Sequence, residues 1–388
     1  MHTHAGMYRD TQHVRDALVR NDVLLITCKI IGDGAVIERV PGERHSNVSS
    51  AGELANRYEA TLHRLKAQHQ DENLFSVASA ESLAIAMRGT GPAVAIGVEG
   101  GDLLEGDLKR LESARLQGIV HLQLVHYRVS ELGDISTERS EHHGLTSFGK
   151  DVVAACNRLG ILVDVAHGTS EVIEQVLAVS TKPDVYSHGH ITSASPYYTQ
   201  GNTRARAIHR PLAQKIAKRS GIIGIWPLGN LYPTLDAYAQ TLIETAEYLG
   251  ANHVAVGSDI PIPVRSVMPN YEAYPALEEL LQSVASNPTI SQTCWDVIIC
   301  GCSDRRSRRD RRHQSPVKTC ITPETSSTPR TILRKVVSSI CPKSFHPSHA
   351  PAISAGRSVA NNCTMSAVMV PLPPNQMMVI RNVAAAVG

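Results

Sequence analysis

The first 284 residues are poor in cysteine and lack any long, uninterrupted apolar run. Only Cys28 and Cys156 lie in this part, which does not suggest a disulfide-built extracellular domain. No run is long and apolar enough to span a bilayer, and no charged-then-apolar segment typical of a signal peptide opens the chain. The default expectation is therefore a cytoplasmic protein without a membrane segment.

The chain also lacks a strong net charge, with 38 Lys and Arg against 36 Asp and Glu. This balance hides an asymmetry, because residues 285–388 carry 13 basic and 4 acidic side chains and six of the eight cysteines. Their basic run, residues 303–314, is not interleaved with aromatic side chains, so we expect a solvated linker and no nucleic-acid partner. We expect a folded domain over residues 1–283 and a basic, largely disordered tail over residues 284–388.

Strand-like and helix-like segments alternate in the folded part, and the clearest example runs from Ile161 to His190. One apolar strand leads to His167, a helical pattern follows, and a second strand ends at His188. The two strands of such a unit are parallel, which places both histidines at one edge of a sheet. Neutral imidazoles there suit zinc, although a histidine after a strand can also be an ordinary loop residue.

Polar residues follow one predicted strand after another. Seven strands fall between residues 23 and 257, and the polar residues at the strand ends are Glu99, His126, His167, His188 and Asp259. This pattern predicts an α/β fold, a (β/α)8 TIM barrel with its site on the C-terminal rim. The eighth strand would be the first, a truncated stub that carries His2 and His4. Side chains two residues apart on a strand point the same way, so these two could form a metal-binding pair or a frayed start.

Short motifs are spaced along residues 2–281. They are Gly97–Gly101, Leu124–His126, Gly144–Gly149, Asn157–His167, Ser187–His188, Arg206–Ile208 and Gly257–Asp259. In order and spacing they resemble the membrane-dipeptidase (renal dipeptidase) family, peptidase family M19, of the amidohydrolase-like metal barrels. The resemblance implies a zinc-dependent dipeptidase with a small dipeptide as substrate, and a homodimer is an arrangement that it leaves open.

The resemblance also implies a site with two zinc ions. His2 and His4 would bind one ion, His167 and His188 would bind the other, and Glu99 would bridge both. A hydroxide held between two such cations is available at neutral pH to attack the peptide bond.

Three further residues take their roles from the same resemblance. His126 would stabilise the developing oxyanion, and Asp259 would carry the proton to the leaving amine. Arg206 would bind the terminal carboxylate of the substrate with its fork of donors.

The chain departs from the family pattern at several positions. His4 stands where the family usually has Asp, the second Asp expected soon after Asp259 is absent, and the first strand is cut short at Met1. Residues after about Leu281 do not match either, as if a reading frame had shifted there, which transcript sequencing would test. Two alternatives stay open: another metal hydrolase of this superfamily, such as an amidase or deoxyribonuclease, and a non-catalytic remnant of the fold.

Overall fold

Strands and helices alternate along the part of the chain that the computed structural model describes, residues 2–4, 13–37, 49–89, 91–192, 206–261 and 265–284. The strands in these ranges are β1 (His2–Thr3), β2 (Leu25–Ile31), β3 (Phe75–Val77), β4 (Ala93–Glu99), β5 (Ile119–Gln123), β6 (Leu162–Asp164), β7 (Val185–Thr192), β8 (Ala207–His209), β9 (Ile222–Ile225) and β10 (Val254–Val256). The α-helices are α1 (Val14–Arg20), α2 (Gly34–Ile37), α3 (Glu53–Asp71), α4 (Ala80–Met87), α5 (Leu108–Leu116), α6 (Ser147–Leu159), α7 (Ser170–Val179), α8 (Arg210–Lys218), α9 (Leu235–Leu249) and α10 (Ala273–Val284).

The strands form a single curled sheet in the order β1-β2-β4-β5-β6-β7-β9-β10. All of these neighbours are parallel, while β3 pairs with β4 and β8 pairs with β7 off this path. Parallel strands joined through helices bring their carboxyl ends to one side of the sheet. The predicted α/β class and the barrel-like strand order are confirmed. The short strands β3 and β8 were not predicted.

The first strand is the short stub that the sequence predicts. His2 and Thr3 pair with β2, and on the other side Thr3 forms a parallel bridge with Ile260, just after β10. The main-chain N–H of His4 donates to the carbonyl of Ile260 (2.7 Å), and the Thr3 hydroxyl donates to the same oxygen (2.6 Å). The stub therefore joins the two edges of the curled sheet.

Helix α7 shows how local sequence sets an element. The hydroxyl of Thr169 caps its first turn by accepting the main-chain N–H of Val172 (3.2 Å). Its buried residues are Val172, Ile173, Val176 and Leu177, the apolar face expected from the helical period. This helix carries the chain from β6 back to the start of β7, which is how two strand ends come to lie side by side.

The interior of the sheet holds charged side chains as well as apolar ones. Lys29, Glu99 and Asp164 are all at most 1% exposed, and His121 and Gln123 are buried among them. Because an unpaired buried charge is strongly unfavourable, each of these groups needs a partner.

The predicted tail lies outside the described residues, except for Val284 at the end of α10, so the boundary at residue 283 and the disorder of the tail stay predictions. Among the described helices, none has both the length and the apolar composition that a membrane crossing requires.

Candidate metal centre

Glu99, the last residue of β4, lies between two groups of histidines. Its Oε2 lies 3.0 Å from Nε2 of His4, while its Oε1 lies 3.4 Å from Nε2 of His167 and 3.6 Å from Nε2 of His188. The side chain is 1% exposed. A single buried carboxylate thus contacts imidazoles that come from β1 on one side and from β6 and β7 on the other.

His167 and His188 face each other through their Nε2 atoms, which are 2.8 Å apart. Nδ1 of His167 lies 2.8 Å from the carbonyl oxygen of His126, so Nδ1 carries the hydrogen and Nε2 presents a lone pair. Burial and then the nearby Arg206 cation keep the pKa of His167 well below its usual value, which favours the neutral ring. Neutral imidazoles oriented by such outer hydrogen bonds are the form in which histidine binds zinc.

His4 has the same arrangement on the other side of Glu99. Its Nδ1 lies 3.1 Å from the carbonyl oxygen of Lys29, and its Nε2 lies 3.2 Å from Oδ1 of Asp259. Burial alone would lower the pKa of His4, but hydrogen bonds to Asp259 and Glu99 raise it to about 10. The proton that this raised pKa favours lies on Nε2 of His4, between the carboxylates of Glu99 and Asp259. A divalent cation could bind the same nitrogen and oxygen atoms in place of that proton.

Two groups of potential ligand atoms emerge from this geometry. His4, Glu99 and Asp259 form one group, and Glu99, His126 and His167 form the other. Both groups share Glu99, which suits a carboxylate that bridges two ions. The donor set of nitrogen and carboxylate oxygen atoms, buried and preorganised, therefore fits the metal ions expected from the sequence.

His2 is the first residue of β1, but its side chain lies outside the described part of the structure. Its predicted role as a metal ligand therefore stays a prediction.

His126 is held by a carboxylate that the sequence reasoning missed. Nδ1 of His126 lies 2.7 Å from Oδ1 of Asp33, and Oδ2 of Asp33 accepts the main-chain N–H of Tyr127 (2.8 Å). Burial would lower the pKa of His126, but Asp33 and Glu99 raise it above its usual value. Asp33 lies two residues after the end of β2, so the pattern of polar residues at strand ends that predicts Glu99 could also have indicated Asp33.

Arg206 reaches the centre from the residue just before β8. Its Nη1 lies 2.5 Å from Nε2 of His167, and its guanidinium lies 5.1 Å from the ring centroid of Tyr127 and 5.8 Å from that of Trp226. The Trp226 ring stacks on His190, with centroids 6.0 Å apart and planes at 19°. Trp226 and His190 were not singled out from the sequence.

Two of the predicted site residues have left-handed backbone conformations, with φ of 68° at His167 and 51° at Asp259. Such conformations in residues other than glycine cost roughly 1–3 kcal/mol and concentrate at functional sites. The strand ends thus hold these side chains in orientations that a relaxed turn would not select.

The sequence of the chain is similar to those of dipeptidases. A family model described as Membrane dipeptidase (Peptidase family M19) matches residues 45–299. Dipeptidase 3 of Homo sapiens is 27% identical over 235 residues, covering 59% of this chain and 44% of that protein. Dipeptidase 3 of Mus musculus is 29% identical over 202 residues, covering 49% of this chain and 40% of that protein. The chain thus spans less than half the length of these relatives.

Solved structures share the fold. An amidohydrolase from Pseudomonas aeruginosa superimposes with a TM-score of 0.61 at 16% identity, covering 77% of this chain and 91% of that one. A metallopeptidase from Rhodobacter sphaeroides, bound to a phosphinate mimic of the dipeptide L-Ala-D-Ala, has a TM-score of 0.59 at 16% identity, covering 71% of this chain and 84% of that one.

Proposed function

The chain belongs to the membrane dipeptidase family, peptidase family M19, and from that premise we propose that it is a zinc-dependent dipeptidase. The observation that carries the proposal is the position of Glu99, whose two oxygens lie 3.0 Å from His4 and 3.4 Å from His167. The dipeptide mimic bound to the Rhodobacter sphaeroides metallopeptidase supports a dipeptide as the substrate class.

In this proposal the ions are held by the residues that face each other across Glu99. His4 and Glu99 would hold one zinc ion, with His2 as a further ligand, and His167, His188 and Glu99 would hold the other. Bound zinc would supply Lewis acidity and a nucleophilic water at neutral pH.

The residues around the ions would position the substrate and move its protons. His126, oriented by Asp33, would donate a hydrogen bond to the oxygen on which negative charge develops. Asp259 would accept a proton from the attacking water and deliver it to the leaving amine. Arg206 would bind the terminal carboxylate, leaving room for about one residue beyond the cleaved bond, which is why a dipeptide is the expected substrate.

Elemental analysis of the purified full-length chain, with hydrolysis of a dipeptide panel before and after chelation, tests the proposal. We expect close to two zinc ions per chain, chelator-sensitive cleavage, and at least a 100-fold loss of activity together with loss of zinc in Glu99→Gln. Asp184→Asn, which alters a buried carboxylate that contacts none of the proposed ligands whose side chains the structure describes, is the matched control and should retain zinc. Wild-type protein without metal and without cleavage would instead indicate a non-catalytic remnant.

The second candidate function is that of a different metal hydrolase. It is suggested by His4, which places a neutral ligand where the family usually has the carboxylate of Asp. The same assay should therefore contain an N-acyl amino acid and single-stranded DNA. Chelator-sensitive turnover of either one, with no dipeptide cleaved, would replace the dipeptidase proposal by an amidase or a deoxyribonuclease.

A further inference from the structure

Asp164, the last residue of β6, is fully buried beneath the candidate metal centre. Its Oδ1 accepts the main-chain N–H groups of Ala166 (3.1 Å) and Ser187 (3.1 Å). Ala166 immediately precedes His167, and Ser187 immediately precedes His188. One carboxylate oxygen thus holds the chain just before both members of the histidine pair.

The backbone at this point needs such an acceptor. β6 pairs with β7 at Asp164 only, and the carbonyl of Val165 accepts the N–H of Gly168 (3.2 Å) inside the turn, so it does not continue the ladder. In that turn His167 has a φ of 68°. A carboxylate that binds the N–H two residues on stabilises a tight turn, and here the same oxygen also replaces the missing ladder partner of Ser187.

The second oxygen of Asp164 is held from the opposite side. Oδ2 lies 3.2 Å from Nζ of Lys29 and 3.1 Å from Nε2 of His121. Lys29 is itself fully buried, and its carbonyl oxygen faces Nδ1 of His4 at 3.1 Å. Lys29 therefore connects the His4 side of the centre to the carboxylate that holds the histidine pair.

A buried ion pair of this kind is poor evidence for a purely stabilising role. Replacing such a pair by apolar residues of similar volume is often neutral or stabilising. The contacts of Asp164 with the two residues that precede His167 and His188 point to a more specific role.

We propose that Asp164 is a positioning residue that sets the spacing and orientation of His167 and His188 for a metal ion, and that Lys29 compensates the buried charge of Asp164. This inference rests on the proposed function, because the ion is the one that the dipeptidase proposal requires. Neither residue contacts the substrate in this proposal.

Paired double variants separate the acceptor role of Asp164 from its charge. Replacing Asp164 alone would leave the Lys29 ammonium buried without its carboxylate, so both variants also carry Lys29→Met. Lys29→Met/Asp164→Asn keeps an oxygen that Ala166 and Ser187 can bind, with its amide N–H groups facing Nε2 of His121. Lys29→Met/Asp164→Leu removes that oxygen and keeps the branching and the number of non-hydrogen atoms of the side chain.

Metal binding by the full chain, measured apart from activity, is the deciding readout. Zinc content, competition with a chromophoric chelator, and the visible spectrum of the cobalt-substituted protein report the affinity and symmetry of each ion's ligands. We expect the Leu variant to hold about one zinc ion, with affinity at the second position reduced roughly 10- to 100-fold, and to have an altered cobalt spectrum. The Asn variant and the control Asp184→Asn should stay close to wild type.

Circular dichroism must show that each variant is folded. A folded Leu variant that binds two ions with wild-type affinity would overturn the positioning role. If the Leu variant does not fold, the Asn variant decides alone, and loss of one ion from a folded Asn variant would overturn the role.

The same measurements separate the two proposals. Wild-type protein that binds metal in the expected Asp164-dependent way but cleaves no dipeptide would refute the dipeptidase function alone. Dipeptide cleavage with unchanged metal binding in both double variants would refute only the positioning role, and wild-type protein that binds no metal would refute both.

Discussion

Asp184, a buried carboxylate away from the metal centre, should make stability depend on pH. Its Oδ1 accepts a hydrogen bond from Ser180 (2.8 Å), and Oδ2 has no hydrogen-bond partner among the described residues. Burial raises the pKa of Asp184 from 3.8 to about 7, against the opposing effect of Ser180 and Arg219. Because the folded state binds this proton more tightly than the unfolded state, the carboxylate lowers the free energy of unfolding as pH rises from about 4 to 7.

Asp184→Asn keeps the shape of the side chain without its charge. Relative to wild type, we expect the free energy of unfolding of the variant to increase by about 2 kcal/mol between pH 5 and pH 8. Urea unfolding of both proteins at the two pH values, with chelator present throughout, measures this difference. An equal change in both proteins would show that Asp184 does not titrate in this window.

His190 is a second buried polar residue with unpaired atoms. The side chain is buried and stacked on Trp226, yet neither of its ring nitrogens has a hydrogen-bond partner in the described structure. Leaving buried polar atoms unpaired costs about 1–3 kcal/mol. The variant His190→Phe should therefore raise the free energy of unfolding by about 1 kcal/mol. The variant His190→Ala should lower the free energy of unfolding, because it leaves a cavity. Denaturant titration tests both, and a Phe variant that unfolds more easily would contradict this account.

At the level of elements, the hydroxyl of Thr3 helps to hold the two-residue strand β1 in place. The Thr3 hydroxyl donates to the carbonyl of Ile260 (2.6 Å) and lies 2.7 Å from the Tyr271 hydroxyl, and all three residues are buried. The position of His4 depends on this anchor, because its main-chain N–H donates to the same carbonyl oxygen.

Thr3→Val keeps the side-chain volume and removes the hydroxyl. We expect a loss of about 1–2 kcal/mol in the free energy of unfolding, since the Tyr271 hydroxyl is deprived of a bond, and weaker zinc binding on the His4 side. The double variant Thr3→Val/Tyr271→Phe should recover part of the stability, as a double-mutant cycle would measure. Unchanged zinc affinity in a destabilised Thr3→Val would show that β1 does not position His4.

For the whole molecule, the metal centre should contribute strongly to stability, because its proposed ligands come from the edge strand β1 and from β4, β6 and β7 in the middle of the sheet. A ligand that binds only the folded state at a concentration 100 times its Kd stabilises that state by about 2.7 kcal/mol. We expect zinc to raise the Tm of chelator-treated protein, and to have little effect on Glu99→Gln. Scanning calorimetry gives both values, and equal shifts in the two proteins would place the zinc elsewhere.

Much of the architecture could be predicted because its signals are local. The four apolar residues of α7 follow a helical period, Thr169 is a suitable cap, and the apolar runs of β2 and β4 are typical of buried parallel strands. The same pattern predicted five polar residues at strand ends, and all five lie around the centre. The strand that carries His188 extends further than expected, to Thr192, because its second half pairs with β8, which local sequence does not indicate.

The sequence by itself determined the alternation of strands and helices and the side chains available at the strand ends, because periodicity, capping and residue chemistry act over a few positions. Only the tertiary structure decided which of them are partners. Asp33 contacts His126, which lies 93 positions away in the sequence, and Lys29 contacts Asp164, which lies 135 positions away. A lysine or an aspartate within an apolar strand shows that a buried charge needs a partner, but the curvature of the closed sheet selects which strand provides it.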